Sequence, residues 1–247
     1  QEFTLITQRH TILMFISTVG QRGVMIDLSP DIFSQCINSH VDLSEVNHLV
    51  FTHSHSDHLN TTEICFRLRE MASVIQKKDK KVMEIYGNDA VRDCIMEIIA
   101  KDPHVDLTRM RFHRIQKFEP FRIGHLKFTP LKAYHKLDEE ALIFVIEDGR
   151  STLLYANDTG ALPEETLDFI EQQNIKFDVV SMDTSRGILD GDTHMGIREN
   201  VELREKLRRM HAVTPDTEYY LNHYSHMCGM IPQEYERLVG QEGFLLT

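Results

Sequence analysis

Apolar positions along this 247-residue chain fall into short runs separated by polar turns, and none is long. Early runs at His10–Ile16, Gly23–Leu28 and His48–Thr52 read as strands, the last two apolar enough to be buried. Asn60 or Thr61 can then cap a helix reaching about Gln76, with Ile64, Leu68, Met71 and Ile75 along one side. Lys77–Lys81 reads as a solvated turn, Val82–Tyr86 as a strand, and Asn88 as the cap of a helix to about Ala100. The middle is β-rich: Met110–Ile115, Phe121–Ile123, Leu126–Leu131, Ala141–Glu147 and Thr152–Ala156. Asp148-Gly149-Arg150-Ser151 joins the last two as a hairpin turn.

Helical periodicity then returns. Pro163 opens a helix to about Gln173, followed by a strand at Phe177–Met182 and a polar loop from Asp183 to Gly196. A helix to about His211, a strand at Glu218–Leu221, a helix at Pro232–Val239 and an apolar run at Phe244–Thr247 complete the pattern. Strands with hairpins, then strands alternating with helices, predict an α/β fold built as a sheet sandwich flanked by helices. With no repeat, low-complexity stretch or linker, one domain is expected over residues 1–247.

Charge narrows the partners. Lys and Arg number 27 against 38 Asp and Glu, a formal net charge of −11. Such a chain is a poor match for nucleic acid or an anionic membrane surface. The charged helix at Arg198–His211 interleaves Glu199, Glu202 and Glu205 with its basic residues, as a solvated face does. No run approaches the roughly 20 apolar residues of a membrane span. The start also lacks the charged and apolar regions of a signal peptide. Cys36, Cys65, Cys94 and Cys228 are scattered without a disulfide or zinc-finger spacing, and the cytoplasm is the expected location.

Histidine changes the picture. There are 14, and His53, His55 and His58 cluster with Asp57 directly after an apolar strand. Alternate residues of an extended chain point the same way, so His53 and His55 can grip one ion. The turn that follows brings Asp57 and His58 round to a second. Imidazole and carboxylate ligands suit zinc, manganese or iron. Six residues cannot complete two metal shells, and three further apolar strands end in a candidate ligand. Leu126–Leu131 leads to His135, Thr152–Ala156 to Asn157-Asp158-Thr159-Gly160, and Tyr219-Tyr220-Leu221-Asn222 to His223, with His226 three residues on.

The HxHxDH run at His53–His58, the lone His135, Asn157–Gly160 and His223 together resemble the metallo-β-lactamase superfamily, from about Gly23 to Gly243. Finer motifs, Asp158-Thr159-Gly160-Ala161-Leu162-Pro163, Met182-Asp183-Thr184-Ser185, Thr193-His194-Met195-Gly196 and His223-Tyr224-Ser225-His226, are similar to one branch of it. That branch is the phosphoribosyl cyclic phosphodiesterase of bacterial phosphonate breakdown, near the tRNA 3′-end-processing endonucleases. The resemblance implies an αββα sandwich with two mixed sheets. It also implies two divalent metal ions, zinc or manganese, with iron or nickel as alternatives. His53, His55 and His135 would hold one ion, Asp57, His58 and His223 the other, with Asp158 bridging and His194 acting beside them. Asp57 and His194 are the candidate catalytic residues.

Two departures from the pattern stand out. The family opens with a strand and Gly-rich turn, often followed by a small cysteine zinc loop. Here Phe3-Thr4-Leu5-Ile6 runs into Thr7-Gln8-Arg9-His10 without those glycines. No cysteine loop is expected, and a family segment is expected to be missing there, as at Thr247, where the chain stops inside an apolar run.

The resemblance implies phosphodiester hydrolysis, in which two divalent ions would lower the pKa of a shared, metal-bridging water towards about 7. A small cyclic or nucleotide-like phosphodiester is the expected substrate. His194 serves as general acid, and Asp183 is the first choice to orient a ligating histidine. An RNA-processing endonuclease of the tRNA 3′-end type fits the motifs less well, since no basic Gly/Pro-rich arm is present. An acyl hydrolase, lactonase or thioesterase, could use the same centre. A homodimer is compatible with the sequence.

Overall fold

The computed structural model describes residues 4–8, 11–18, 21–69, 82–224 and 228–246. The expectations for His10, Met71, Ile75, Gln76, the lysine-rich turn at 77–81, His226 and Thr247 lie outside them. The chain divides into two compact units, Gln1–Thr7 with Thr11–Ile115, and Gln8–His10 with Gln116–Thr247.

The first unit holds a six-stranded sheet in sequential order, β1 (Thr4–Gln8), β2 (Thr11–Thr18), β3 (Gln21–Ile26), β4 (Val46–Val50), β5 (Met83–Gly87) and β6 (Met110–Arg114). β2 and β3 are antiparallel, whereas β3 to β6 run parallel. Parallel neighbours need crossovers, and helices supply them: α1 (Ile32–Ser39), α2 (Thr61–Leu68) and α3 (Asp89–Ile99). Met25, Leu49, Phe51, Met83 and Ile85 of the sheet form one core with Ile32 and Cys36 of α1, Ile64 and Leu68 of α2, and Val91, Ile95 and Ile99 of α3. Each helix offers residues three or four apart, the spacing that puts them on one side. Asn60 and Asn88 cap as their sequence context predicts, accepting from Glu63 N at 3.1 Å and Val91 N at 2.9 Å.

Two features differ from the pattern. Helix α1 has no side-chain cap and only eight residues, so its periodic signal is faint. Helix α2 stops at Leu68 because Arg69 turns extended, bridges Val105 and pairs its guanidinium with Asp102 at 2.6 Å.

The second unit holds seven strands in the order β13-β12-β11-β10-β9-β8-β7. They are β7 (Phe121–Ile123), β8 (Leu126–Lys132), β9 (Leu142–Glu147), β10 (Thr152–Ala156), β11 (Phe177–Asp183), β12 (Val213–Asn222) and β13 (Leu245–Leu246). β7 to β10 form an antiparallel meander, and β10 to β13 are parallel. The β9–β10 hairpin closes as predicted: Gly149 takes a φ of 88°, and Asp148 Oδ1 accepts from the amides of Arg150 and Ser151 at 2.8 Å each. Helices α4 (Glu164–Gln172), α5 (Ile197–Arg209) and α6 (Pro232–Gln241) pack Leu167, Ile170, Leu203, Leu207, Tyr235 and Val239 on Leu154, Val180, Met182 and Leu221. β12 begins five residues before the apolar run at Glu218–Leu221. Its polar first half, with Pro215, is held by Thr217 Oγ1 donating to the Phe177 carbonyl at 2.7 Å.

Candidate functional site

In both units most of the polar side chains gather just beyond the carboxyl ends of strands with a parallel neighbour, where open α/β sheets bind ligands. In the first unit, β4 runs on through Phe51, whose N–H donates to the Tyr86 carbonyl at 2.8 Å, and delivers Thr52 and His53 at its tip. The next residues coil tightly, with the amides of His58 and Leu59 both donating to the His55 carbonyl at 3.0 and 2.8 Å. That coil brings the four predicted ligands together. His53 Nε2 lies 2.9 Å from His55 Nδ1, the His53 and His58 rings are 4.4 Å apart, and His58 Nε2 is 3.7 Å from Asp57 Oδ2. His53 and His58 are buried, whereas the Asp57 side chain is 57 % exposed.

Asp27 is the residue that the strand-end reasoning missed. It follows β3, sits 1 % exposed and takes a left-handed φ of 61°. Its carboxylate accepts from Thr52 N at 2.9 Å and from Thr52 Oγ1 at 2.9 Å, and lies 2.8 Å from His58 Nδ1. Thr52 Oγ1 in turn meets His53 Nδ1 at 2.9 Å. Both rings are thus held by Nδ1, which turns Nε2 to a ligand, the usual support behind a metal-bound imidazole. Its signal was in plain view: Gly23-Val24-Met25-Ile26-Asp27 is another apolar strand ending in a carboxylate.

In the second unit, His135 follows β8, Asp158 follows β10, Asp183 ends β11 and His223 follows β12, while His194 comes from the loop before α5. One ligand atom each of Asp158, Asp183, His194 and His223 lies within 4.8 Å of the others. His223 Nδ1 is 3.1 Å from Asp158 Oδ1, and His194 Nδ1 is 2.9 Å from Asp183 Oδ2 and 3.3 Å from Asp158 Oδ1. The His194 and His223 rings stack at 5.6 Å. His135 Nε2 is 4.0 Å from Asp158 Oδ2, and its ring meets His194 edge-on at 4.6 Å. Asp158 and His223 both take positive φ, 51° and 57°, so the chain turns sharply as each strand ends.

Asp183 is the organiser of this group. Its Oδ1 accepts from the amides of Ser185 and Met195 at 2.9 and 3.2 Å, tying the two ends of the 183–196 loop together. Ser185 Oγ donates to Asp183 Oδ2 at 3.2 Å and also bonds His223 Nδ1. Neighbouring Thr184 bonds the hydroxyl of Tyr235, whose burial pushes its pKa up and keeps it neutral. Sequence reasoning named Asp183 and quoted Ser185 only within the Met182-Asp183-Thr184-Ser185 motif, without giving it a role.

Two carboxylates buried at 3 and 0 % need compensating charge. Paired with imidazoles, they form the nitrogen–oxygen donor set that divalent zinc or manganese takes. The Asp158, Asp183, His194 and His223 group fits metal ligation by chemistry and by spacing, and the His53–His58 run fits it by chemistry.

Residues 22–223 match the family model of the Beta-lactamase superfamily domain. The chain belongs to this superfamily. Proteins of known structure share its fold over most of their length. A diphosphatase of the PhnP family is 19 % identical at a TM-score of 0.69, covering 96 % of this chain and 81 % of that one. The metallo-β-lactamase fold protein YhfI from Bacillus subtilis is 17 % identical at a TM-score of 0.72, covering 99 % and 95 %. Human tRNase Z, short form, is 14 % identical at 0.65, covering 90 % and 92 %. No curated protein matches the chain. The fold is therefore the metallo-β-lactamase fold expected from the motifs, and its His/Asp clusters support a metal-dependent hydrolase. Among the described residues no helix is long and apolar enough to cross a membrane.

Proposed function

We propose that the chain is a dinuclear metal-dependent phosphodiesterase acting on a small cyclic or nucleotide-like phosphodiester. The observation that carries this reading is the Asp183–His194 pair beside Asp158 and His223. His194 is the most open member of that group, its side chain 24 % exposed. Its Nδ1–H donates to Asp183 at 2.9 Å, which positions the imidazole to supply a proton to a leaving alkoxide. A phosphodiester expels a poor alkoxide leaving group, which needs such a proton.

The ligand assignment proposed is His53, His55 and His135 for one ion, Asp57, His58 and His223 for the other, with Asp158 shared. When bound, two divalent ions supply a Lewis acid and an acidified water. Asp27 and Thr52 hold His53 and His58 in the ligating tautomer, and Ser185 and Asp183 steady His223 and His194. Asp57 and Asp158 bring two negative charges to the pair of ions, which leaves the centre net positive and attractive to an anionic phosphodiester. Zinc or manganese fits the donors, the cytoplasm is the proposed location, and nucleic acid is not a proposed partner.

Metal analysis joined to a substrate panel tests the reading. The panel is bis-p-nitrophenyl phosphate, cyclic nucleotides, 1,2-cyclic ribose phosphate, a lactone and a thioester. Two ions per chain with turnover confined to phosphodiesters is expected. Turnover of the lactone or thioester alone would replace the proposal with an acyl hydrolase.

A further inference from the structure

Tyr134 stands immediately before His135 and is 40 % exposed, and Leu137, two residues beyond that histidine, is 73 % exposed. Single exposed apolar side chains are ordinary on a protein surface. Tyr134 differs in how firmly it is held. Its N–H donates to Thr159 Oγ1 at 2.9 Å, and its carbonyl accepts from Gly160 N at 2.8 Å. Both bonds tie it to the residues directly after Asp158. A Cβ on Gly160 would lie 3.0 Å from Tyr134 Cδ1 and 1.8 Å from the Asp192 carbonyl oxygen. Only glycine lets the tyrosine ring and the Asp192 backbone close on this point together. The Asp192 backbone leads directly to Thr193, whose carbonyl lies 3.1 Å from His135 Nδ1, and then to His194. The backbone at Tyr134 is therefore held in place, and its ring is a part-exposed aromatic surface against Gly160, next in sequence to His135 and beside the residues that follow Asp158.

We propose that Tyr134 determines specificity by stacking on the nucleobase of a nucleotide-like phosphodiester. This rests on the phosphodiesterase reading and narrows its substrate class. Every base offers a π face, and a tyrosine, with only two side-chain torsions and a backbone already held in place, loses little freedom on stacking. The base takes no part in bond breaking, so stacking acts alike on ground and transition states and shows in KM rather than kcat.

The test uses the full chain loaded with manganese and two substrates, adenosine 2′,3′-cyclic phosphate and 1,2-cyclic ribose phosphate, which lacks the base. Tyr134→Ala should lower the nucleotide-to-ribose ratio of kcat/KM about tenfold, through the nucleotide KM. Tyr134→Phe should recover most of that ratio. Equal losses on both substrates, or a loss carried by kcat, would overturn the inference. If the alanine variant fails to fold, Tyr134→Leu against Tyr134→Phe makes the same comparison between an aliphatic side chain and a ring. A wild-type protein that cleaves only the base-free substrate sinks the stacking role and leaves the phosphodiesterase reading standing. One that cleaves neither sinks both.

Discussion

Asp27 offers the sharpest test of how the site is supported, because Asp27→Asn changes one atom and a charge while leaving the backbone at ease. Asparagine tolerates the left-handed φ of 61° found there. Its remaining oxygen can still accept from Thr52 N, which Asp27 Oδ1 now does at 2.9 Å. Its amide NH2 then faces His58 Nδ1, which lies 2.8 Å from the aspartate oxygen. A donor in that position forces Nδ1 to accept, so the His58 proton moves to Nε2 and occupies the lone pair that a metal needs. One hydrogen bond to a charged group is lost, worth about 1.5–3 kcal/mol. For a chain of this size that lowers the metal-free melting temperature by about 2–4 °C per kcal/mol. Metal affinity should fall further, by about 10- to 100-fold, the usual effect of removing an outer partner of a ligating histidine. Scanning calorimetry of metal-free protein reads the first quantity, and zinc competition against a chelating dye reads the second. A variant that melts earlier yet binds zinc as tightly as wild type would refute the idea that Asp27 sets the His58 tautomer.

Asp158→Ala should leave one ion or fewer per chain by elemental analysis, and two retained ions would remove Asp158 from the bridging position. His194→Ala should lose more rate on substrates with poor leaving groups than on p-nitrophenyl esters of phosphate; equal losses would count against its acid role. Hydrogen bonds from Lys117 and Lys132, at 2.6 and 2.7 Å, hold the Glu165 carboxyl below its ordinary pKa. Its folded value lies under its unfolded one, so this contribution to stability is present above about pH 4.3 and fades as pH falls through the lowered value. Acid titrations of Glu165→Gln followed by circular dichroism should therefore show a shallower loss of stability below pH 4.3 than wild type, and identical slopes would contradict it.

Much of the site was legible because its residues are local or repeat one pattern. His53, His55, Asp57 and His58 lie within six positions, and His135, Asp158 and His223 each follow an apolar strand. Strand-end position is something periodicity can read, since the strand itself is buried and its tip is where polar side chains can start. Caps at Asn60 and Asn88 and the turn at Asp148 were equally readable, for each is a short-range hydrogen bond made by a residue suited to it. Helix α1 was not, because eight residues without a capping side chain leave too little periodic signal. The end of α2 at Leu68 was hidden for another reason: Arg69 pairs with Asp102, 33 positions away.

The chain's order of residues thus determined by itself the α/β class, the superfamily and the candidate donors, because buried strands, turn formers and clustered imidazoles all carry local signatures. Tertiary structure alone decided which groups orient those donors. Asp27 reaches Thr52 and His58 only because β3 pairs in parallel with β4, setting Ile26 opposite Val50 and the two strand tips side by side. Ser185 reaches His223 only because β11 and β12 pair with Asp183 opposite Asn222. Parallel register joins residues tens of positions apart, and no local pattern encodes which partner it will bring.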